Sequence, residues 1–112
     1  MTTLYTRTWD LKESLSDSEV NEFWRFCVDE LRPAVEEIDG TRSIKIYSGA
    51  GALRADLTLA WEMDDASVYE KALHNSELRA VIGKFYAAID MRTTDQRFQR
   101  EITPELVHAL SG

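Results

Sequence analysis

Leu57-Thr58-Leu59-Ala60-Trp61-Glu62 runs through Met63 into Asp64-Asp65. A helical pattern then opens at Val68, breaks at His74-Asn75-Ser76, and resumes with Leu78, Val81, Ile82, Phe85 and Ile89. The first part alternates: Leu53, Ala55, Leu57, Leu59, Trp61 and Met63 share one side, with Arg54, Asp56, Thr58, Ala60 and Glu62 on the other. That is the period of a strand with one buried face, here expected over Leu53 to Met63. After Asp65 the spacing changes to that of a helix. Asn75 and Ser76 are residues that start helices, so the pattern divides into Ala66 to Leu73 and Asn75 to Ile89. A strand feeding a broken helix sets the second half of the fold.

Working back toward the N-terminus, Arg42 to Ser48 alternates again, with Ile44 and Ile46 against Ser43, Lys45 and Tyr47. Gly49-Ala50-Gly51-Ala52 joins it to the next strand as a short, permissive hairpin connection. Ser16-Asp17-Ser18-Glu19 fits a capping box, and Leu15 with Val20 fits a hydrophobic staple, so two signals mark one helix start. Val20, Phe23, Trp24, Cys27, Val28, Leu31, Ala34, Val35 and Ile38 then form one apolar stripe that Gly40 ends. Pro33 falls inside it, where a proline costs about 3 kcal/mol in a regular helix. The stripe stays in phase, which predicts a kinked helix rather than two. Leu4 to Leu11 reads as a first strand and Thr93 to Ile102 as a polar last one, before a short helix begun by Thr103-Pro104-Glu105.

The order β-α-β-β-α-β predicts an α+β domain over residues 1–112, a ferredoxin-like sandwich. Its four-stranded antiparallel sheet has the first and third strands central and both helices on one face. Leu57, Leu59 and Trp61 are expected to face the helices. An unpaired cation is costly in a core, so the side bearing Tyr5, Arg7 and Trp9 is expected to face away, beside Asp56, Thr58 and Glu62. Exposed rings there call for a cover. A second copy packed sheet to sheet supplies one, giving a homodimer that buries about 800 Å² per partner.

The chain of 112 residues carries 13 Lys and Arg against 20 Asp and Glu, a net charge of -7. That balance argues against nucleic acid and anionic membrane surfaces as partners. No segment approaches the roughly 20 apolar residues of a bilayer span, and the one cysteine, Cys27, has no partner for a disulfide. A cytoplasmic protein is expected.

The strand ending in Trp61-Glu62, the acidic turn, and the break at Leu73-His74-Asn75-Ser76-Glu77-Leu78 resemble the dimeric α+β barrel superfamily. Within it the pattern is most similar to antibiotic-biosynthesis-monooxygenase-type domains. The resemblance implies a dimeric α+β barrel. Its members include cofactor-free oxygenases, heme-degrading enzymes, cyclases, isomerases and proteins without demonstrated chemistry. Heme-degrading members rely on an Asn in the first strand, a Trp at the helix break and a His about three turns on. The matching positions here are Thr6 or Arg7, His74 and Lys84, which disfavours heme.

Candidate ligand-binding residues are Tyr5, Arg7, Trp9, Tyr47, Asp56, Thr58, Glu62 and His74. Arg7 with Asp56 or Glu62 would place a polar group inside an apolar barrel or close the dimer as an ion pair. Tyr5, Trp9 and Tyr47 would stack on a flat ligand or pack across the dimer. His74 would move a proton or simply end a helix. Phe23, Trp24, Phe85 and Tyr86 sit on helical stripes and read as core or groove. Asp64-Asp65 reads as a helix cap rather than a metal site, and Gly49-x-Gly51 lacks the residues of a phosphate loop. No cofactor or metal is expected. The expected function is binding of a small, flat, largely apolar molecule; whether the chain is an enzyme is left open by its residues, and the resemblance implies cofactor-independent monooxygenation or isomerisation as the chemistry of an enzyme. A non-catalytic dimerisation or ligand-sensing module is the alternative.

Overall fold

The third strand of the fold, β3 (Leu57–Met63), is buried at Leu57, Leu59, Trp61 and Met63 and half-buried between them. Its apolar side therefore faces the helices, as the alternation requires. The computed structural model describes residues 2–51 and 54–111. β1 (Thr3–Leu11), β2 (Thr41–Tyr47) and β4 (Ile89–Arg100) complete the sheet, in the order β2-β3-β1-β4 with antiparallel neighbours throughout. This is the α+β, ferredoxin-like arrangement, with the first and third strands central.

The helical layer is α1 (Asp17–Phe26), a π-helical turn (Cys27–Leu31), α2 (Arg32–Glu36), α3 (Ser67–Leu73) and α4 (Ser76–Ala88), followed by a terminal α5 (Pro104–Ser111). The capping box is formed: Ser16 Oγ accepts from the Glu19 amide at 3.1 Å, and Glu19 Oε1 accepts from the Ser16 amide at 2.9 Å. Such a cap contributes about 1 kcal/mol. Ahead of Pro33 the chain takes a π turn, in which the Arg32 amide donates to the Cys27 carbonyl. Pro33 then lies in the first turn of α2, where its missing N–H is least costly. Gly40 lies beyond α2 in the turn into β2, at φ +93°, and a Cβ there would come within 2.6 Å of Val68 Cγ2. Both the backbone and the space demand glycine. Thr103 Oγ1 accepts from the Leu106 amide at 3.1 Å and caps α5.

Three expectations change. β3 starts at Leu57, not Leu53, because Asp56 sits at φ 56° and breaks the extended path. Ala52 and Leu53 lie outside the described residues. β4 begins at Ile89, four residues early and directly from α4, because Ile89 is fully buried and extended (φ -93°, ψ 149°). It ends at Arg100 rather than Ile102.

The third correction matters most. Tyr5 pairs with Trp61, Arg7 with Leu59 and Trp9 with Leu57. Directly opposed residues share a face, so Tyr5, Arg7 and Trp9 lie on the helix side of the sheet and not on the open side. Tyr5 and Trp9 are 5% and 1% exposed and belong to the core. Arg7 is half-buried; its stem follows apolar surface while its head reaches a polar rim. The open face instead carries Leu4, Thr6 and Thr8 opposite Glu62, Ala60 and Thr58.

Candidate functional site

The helix break expected at His74-Asn75-Ser76 shapes the site. Asn75 Oδ1 accepts from the Leu78 amide at 2.9 Å and starts α4 afresh, so α3 and α4 leave the break as separate walls. Beneath them lies a cavity of about 390 Å³. Leu59 and Trp61 of β3 with Tyr5 and Arg7 of β1 form its floor, Tyr69 and Leu73 of α3 one wall, and Arg79, Gly83 and Tyr86 of α4 another. Leu31 of the π-helical turn and Val35 of α2 also line it. The cavity lies within one chain, on the helix side of the sheet.

Its surface is aliphatic and aromatic. Tyr5 packs edge-on to Trp61 at 6.1 Å and tilted against Tyr69 and Phe98 at 5.0 and 5.1 Å. The Trp61 indole N–H donates to Thr41 Oγ1 at 3.0 Å, and Thr41 Oγ1 donates to the Val35 carbonyl at 3.0 Å, which fixes that ring.

Arg7 is held from two sides. Its Nε donates to Thr94 Oγ1 and its Nη1 to the Tyr86 hydroxyl, each at 2.9 Å, with the guanidinium 5.0 Å from the Tyr86 ring centre. Thr94 stands two residues before Gln96, the partner of Arg7, and at the register shift between Thr8 and Asp10. There Thr93 Oγ1 accepts from the Asp10 amide at 2.8 Å. Tyr5 donates its hydroxyl to Gln96 Oε1 at 3.0 Å. Burial pushes its phenol up to about 12 from 10.0, aided by Tyr69 and opposed by Arg7, so it stays a protonated donor at neutral pH. Burial likewise pushes the Cys27 thiol up to about 12. Cys27 therefore packs in the core as an unreactive thiol.

Of the expected site residues, the structure brings only Tyr5 and Arg7 together at this cavity. Trp9 packs into the core edge-on to Phe85 at 4.7 Å, with its indole N–H unpartnered among the described residues. Thr58 and Tyr47 are paired with each other on the open face, and Glu62 stands there opposite Leu4. Asp56 is exposed at the start of β3, its amide donating to Asp10 Oδ1 at 3.0 Å. His74 is exposed at the end of α3, its amide donating to the Lys71 carbonyl. Asp64 pairs with Arg42 at 2.8 Å, and Asp65 accepts from the Ser67 amide and hydroxyl. Tyr69, Arg79, Gly83, Thr94 and Gln96 carry no expectation from the sequence, and Tyr86, expected as core or groove, joins the site. Arg79 and Tyr86 are seven residues apart on α4, two turns of one face, and this spacing was the available signal.

No family model matches the chain, and no curated protein matches it. Solved structures do. A dimeric protein of unknown function and ferredoxin-like fold from Bacteroides fragilis superposes with a TM-score of 0.74 at 11% identity, covering 89% of this chain and 96% of that one. SnoaB, a cofactor-independent oxygenase from Streptomyces nogalater, gives 0.72 at 10% identity, covering 92% and 97%. A putative antibiotic biosynthesis monooxygenase from Nitrosomonas europaea gives 0.72 at 8% identity, covering 92% of each. The chain thus resembles the monooxygenase-like ferredoxin-fold proteins in fold. No helix among the described residues is long and apolar enough to cross a membrane.

Proposed function

We propose that this protein binds a small, flat, largely apolar molecule in the cavity between its sheet and α3–α4. The observation that carries this reading is the cavity itself: about 390 Å³, walled by aliphatic side chains and aromatic rings, with the Tyr5 hydroxyl and the Arg7 guanidinium as oriented polar groups. Ligand sites typically show this balance of apolar wall and few oriented polar groups. Gly83 supports it. A glycine within a helix costs about 1 kcal/mol relative to alanine, and a methyl group there would meet nothing within 4 Å. Packing does not require glycine at this exposed point of the cavity wall, and its missing side chain leaves that wall open.

Cofactor-independent oxygenation is the chemistry that the SnoaB-like fold suggests. No Asp, Glu or His is among the residues described as lining the cavity. The ligand would therefore have to arrive already ionised, and an isomerase, which needs a base, is the weaker reading. Without a reaction, the same cavity serves as a ligand-sensing module.

The second part of the proposal is a homodimer through the open sheet face; that the Bacteroides fragilis protein of similar fold is dimeric supports the assembly. Leu4, Ala60 and Tyr47 give that face its apolar area. Buried, disulfide-free Cys27 suits a cytoplasmic setting.

Fluorescence titration with N-phenyl-1-naphthylamine, a neutral flat probe, tests the cavity. One site per chain is expected, lost in Gly83→Trp. Absence of binding, or binding unchanged in that variant, overturns the reading. Native mass spectrometry is expected to give a dimer that Ala60→Arg dissociates and Gly83→Trp leaves intact; a monomeric parent protein overturns the assembly.

A further inference from the structure

We propose that the cavity selects an anion: its ligand carries a carboxylate, or a similar planar oxyanion, on a flat apolar body. This rests on the ligand-binding reading above and adds the charge.

Acids outnumber bases by 20 to 13 in this chain, and most arginines have taken one as a partner. Arg32 pairs with Glu36, Arg42 with Asp64, Arg54 with Asp17, Arg92 with Asp90 and Arg97 with Asp95, at 2.6 to 3.0 Å. The two arginines that line the cavity have not. Arg7 is held by the Thr94 and Tyr86 hydroxyls, which are neutral. The Arg79 side chain makes no hydrogen bond or ion pair among the described residues, and it stands two turns before Tyr86 on the same face of α4.

An exposed arginine such as Arg25 needs no counter-ion, since water supplies its partners. Arg7 is half-buried beside aromatic rings, where less water screens its charge than at Arg25 and a counter-charge is held more strongly. Two hydroxyls hold its guanidinium in place but leave its charge uncompensated. A guanidinium held in a fixed plane suits a planar oxyanion, which it binds through paired hydrogen bonds. Arg79, exposed at the mouth, adds attraction on approach. The Tyr5 hydroxyl is occupied by Gln96, so the charge contact falls to Arg7.

Calorimetry with 2-naphthoate and its neutral isostere 2-naphthamide tests the selection. Naphthoate is expected to bind about tenfold or more tighter, the difference shrinking at high ionic strength. Arg7→Gln should bring naphthoate affinity down to that of naphthamide, and Arg7→Lys should restore part of the preference. Arg79→Gln should lower naphthoate affinity about two- to threefold. Equal binding of the two probes, or a preference that survives Arg7→Gln, overturns the proposal while leaving the cavity reading intact. If neither probe binds while N-phenyl-1-naphthylamine does, the charge proposal falls alone; if none of the three binds, the ligand-binding reading falls with it.

Discussion

The two faces of the sheet are built from the same strands but by different rules. On the helix side, Leu57, Leu59, Trp61 and Met63 of β3 meet Tyr5 and Trp9 of β1 and the stripes of the helices in one buried cluster. On the open side, Thr58, Ala60 and Glu62 face Leu4, Thr6 and Thr8, most of them half-buried. The buried side accepts Arg7 only at its rim, where Thr94 and Tyr86 receive it. A cation on a strand is thus weak evidence for the solvent face when the stem is long enough to reach the edge of the core.

The sharpest way to break this comparison is to delete side chains on each face. Leu57→Ala is expected to cost about 2–5 kcal/mol in urea unfolding, because a fully buried leucine leaves a cavity. Its neighbour Thr58→Ala on the open face should stay within about 0.5 kcal/mol in the monomer. Equal costs would mean that the faces are misassigned.

High pH probes the buried side alone. Tyr5 and Cys27 both have folded-state values raised by burial, to about 12 from 10.0 and 9.0. The folded protein holds these protons where the unfolded chain releases them, so stability is full below pH 9 and falls as the pH rises toward 12. Urea midpoints across that window should drop, and the double variant Tyr5→Phe, Cys27→Ala should flatten the curve. An unchanged slope would place both groups in contact with water.

Smaller effects test the edges of the helix layer. Gly40→Ala should destabilise by about 1–3 kcal/mol, from its positive φ and the contact with Val68. Gly83→Ala should do the opposite, stabilising α4 by about 0.5–1 kcal/mol while slowing or weakening entry of the naphthylamine probe. Stability gained with unchanged probe binding would separate Gly83 from the mouth.

Much of the fold was legible because its signals are local. The capping box at Ser16 and Glu19, the new helix start at Asn75 and the alternation of β3 each depend on residues within a few positions of one another. The start of β3 was not, since nothing near Asp56 announces a positive φ. Of the candidate site, Tyr5 and Arg7 were named from the sequence but on the wrong side of the sheet. Arg79 and Thr94 were missed and Tyr86 was named only as core or groove, because they become site residues only when the packing of α4 and the β1–β4 pairing bring them to the cavity and to Arg7.

By itself the sequence determined the elements, their order, the face of β3 that is buried and the break between α3 and α4. Each follows from periodicity and from caps that act over one turn. Only the tertiary structure decided which side of β1 faces the helices, because both of its sides mix polar and apolar residues and the pairing of Tyr5 with Trp61 settles the matter. It alone decided that a cavity exists between sheet and helices. Its volume is what remains when distant elements pack, and no stretch of chain carries that quantity.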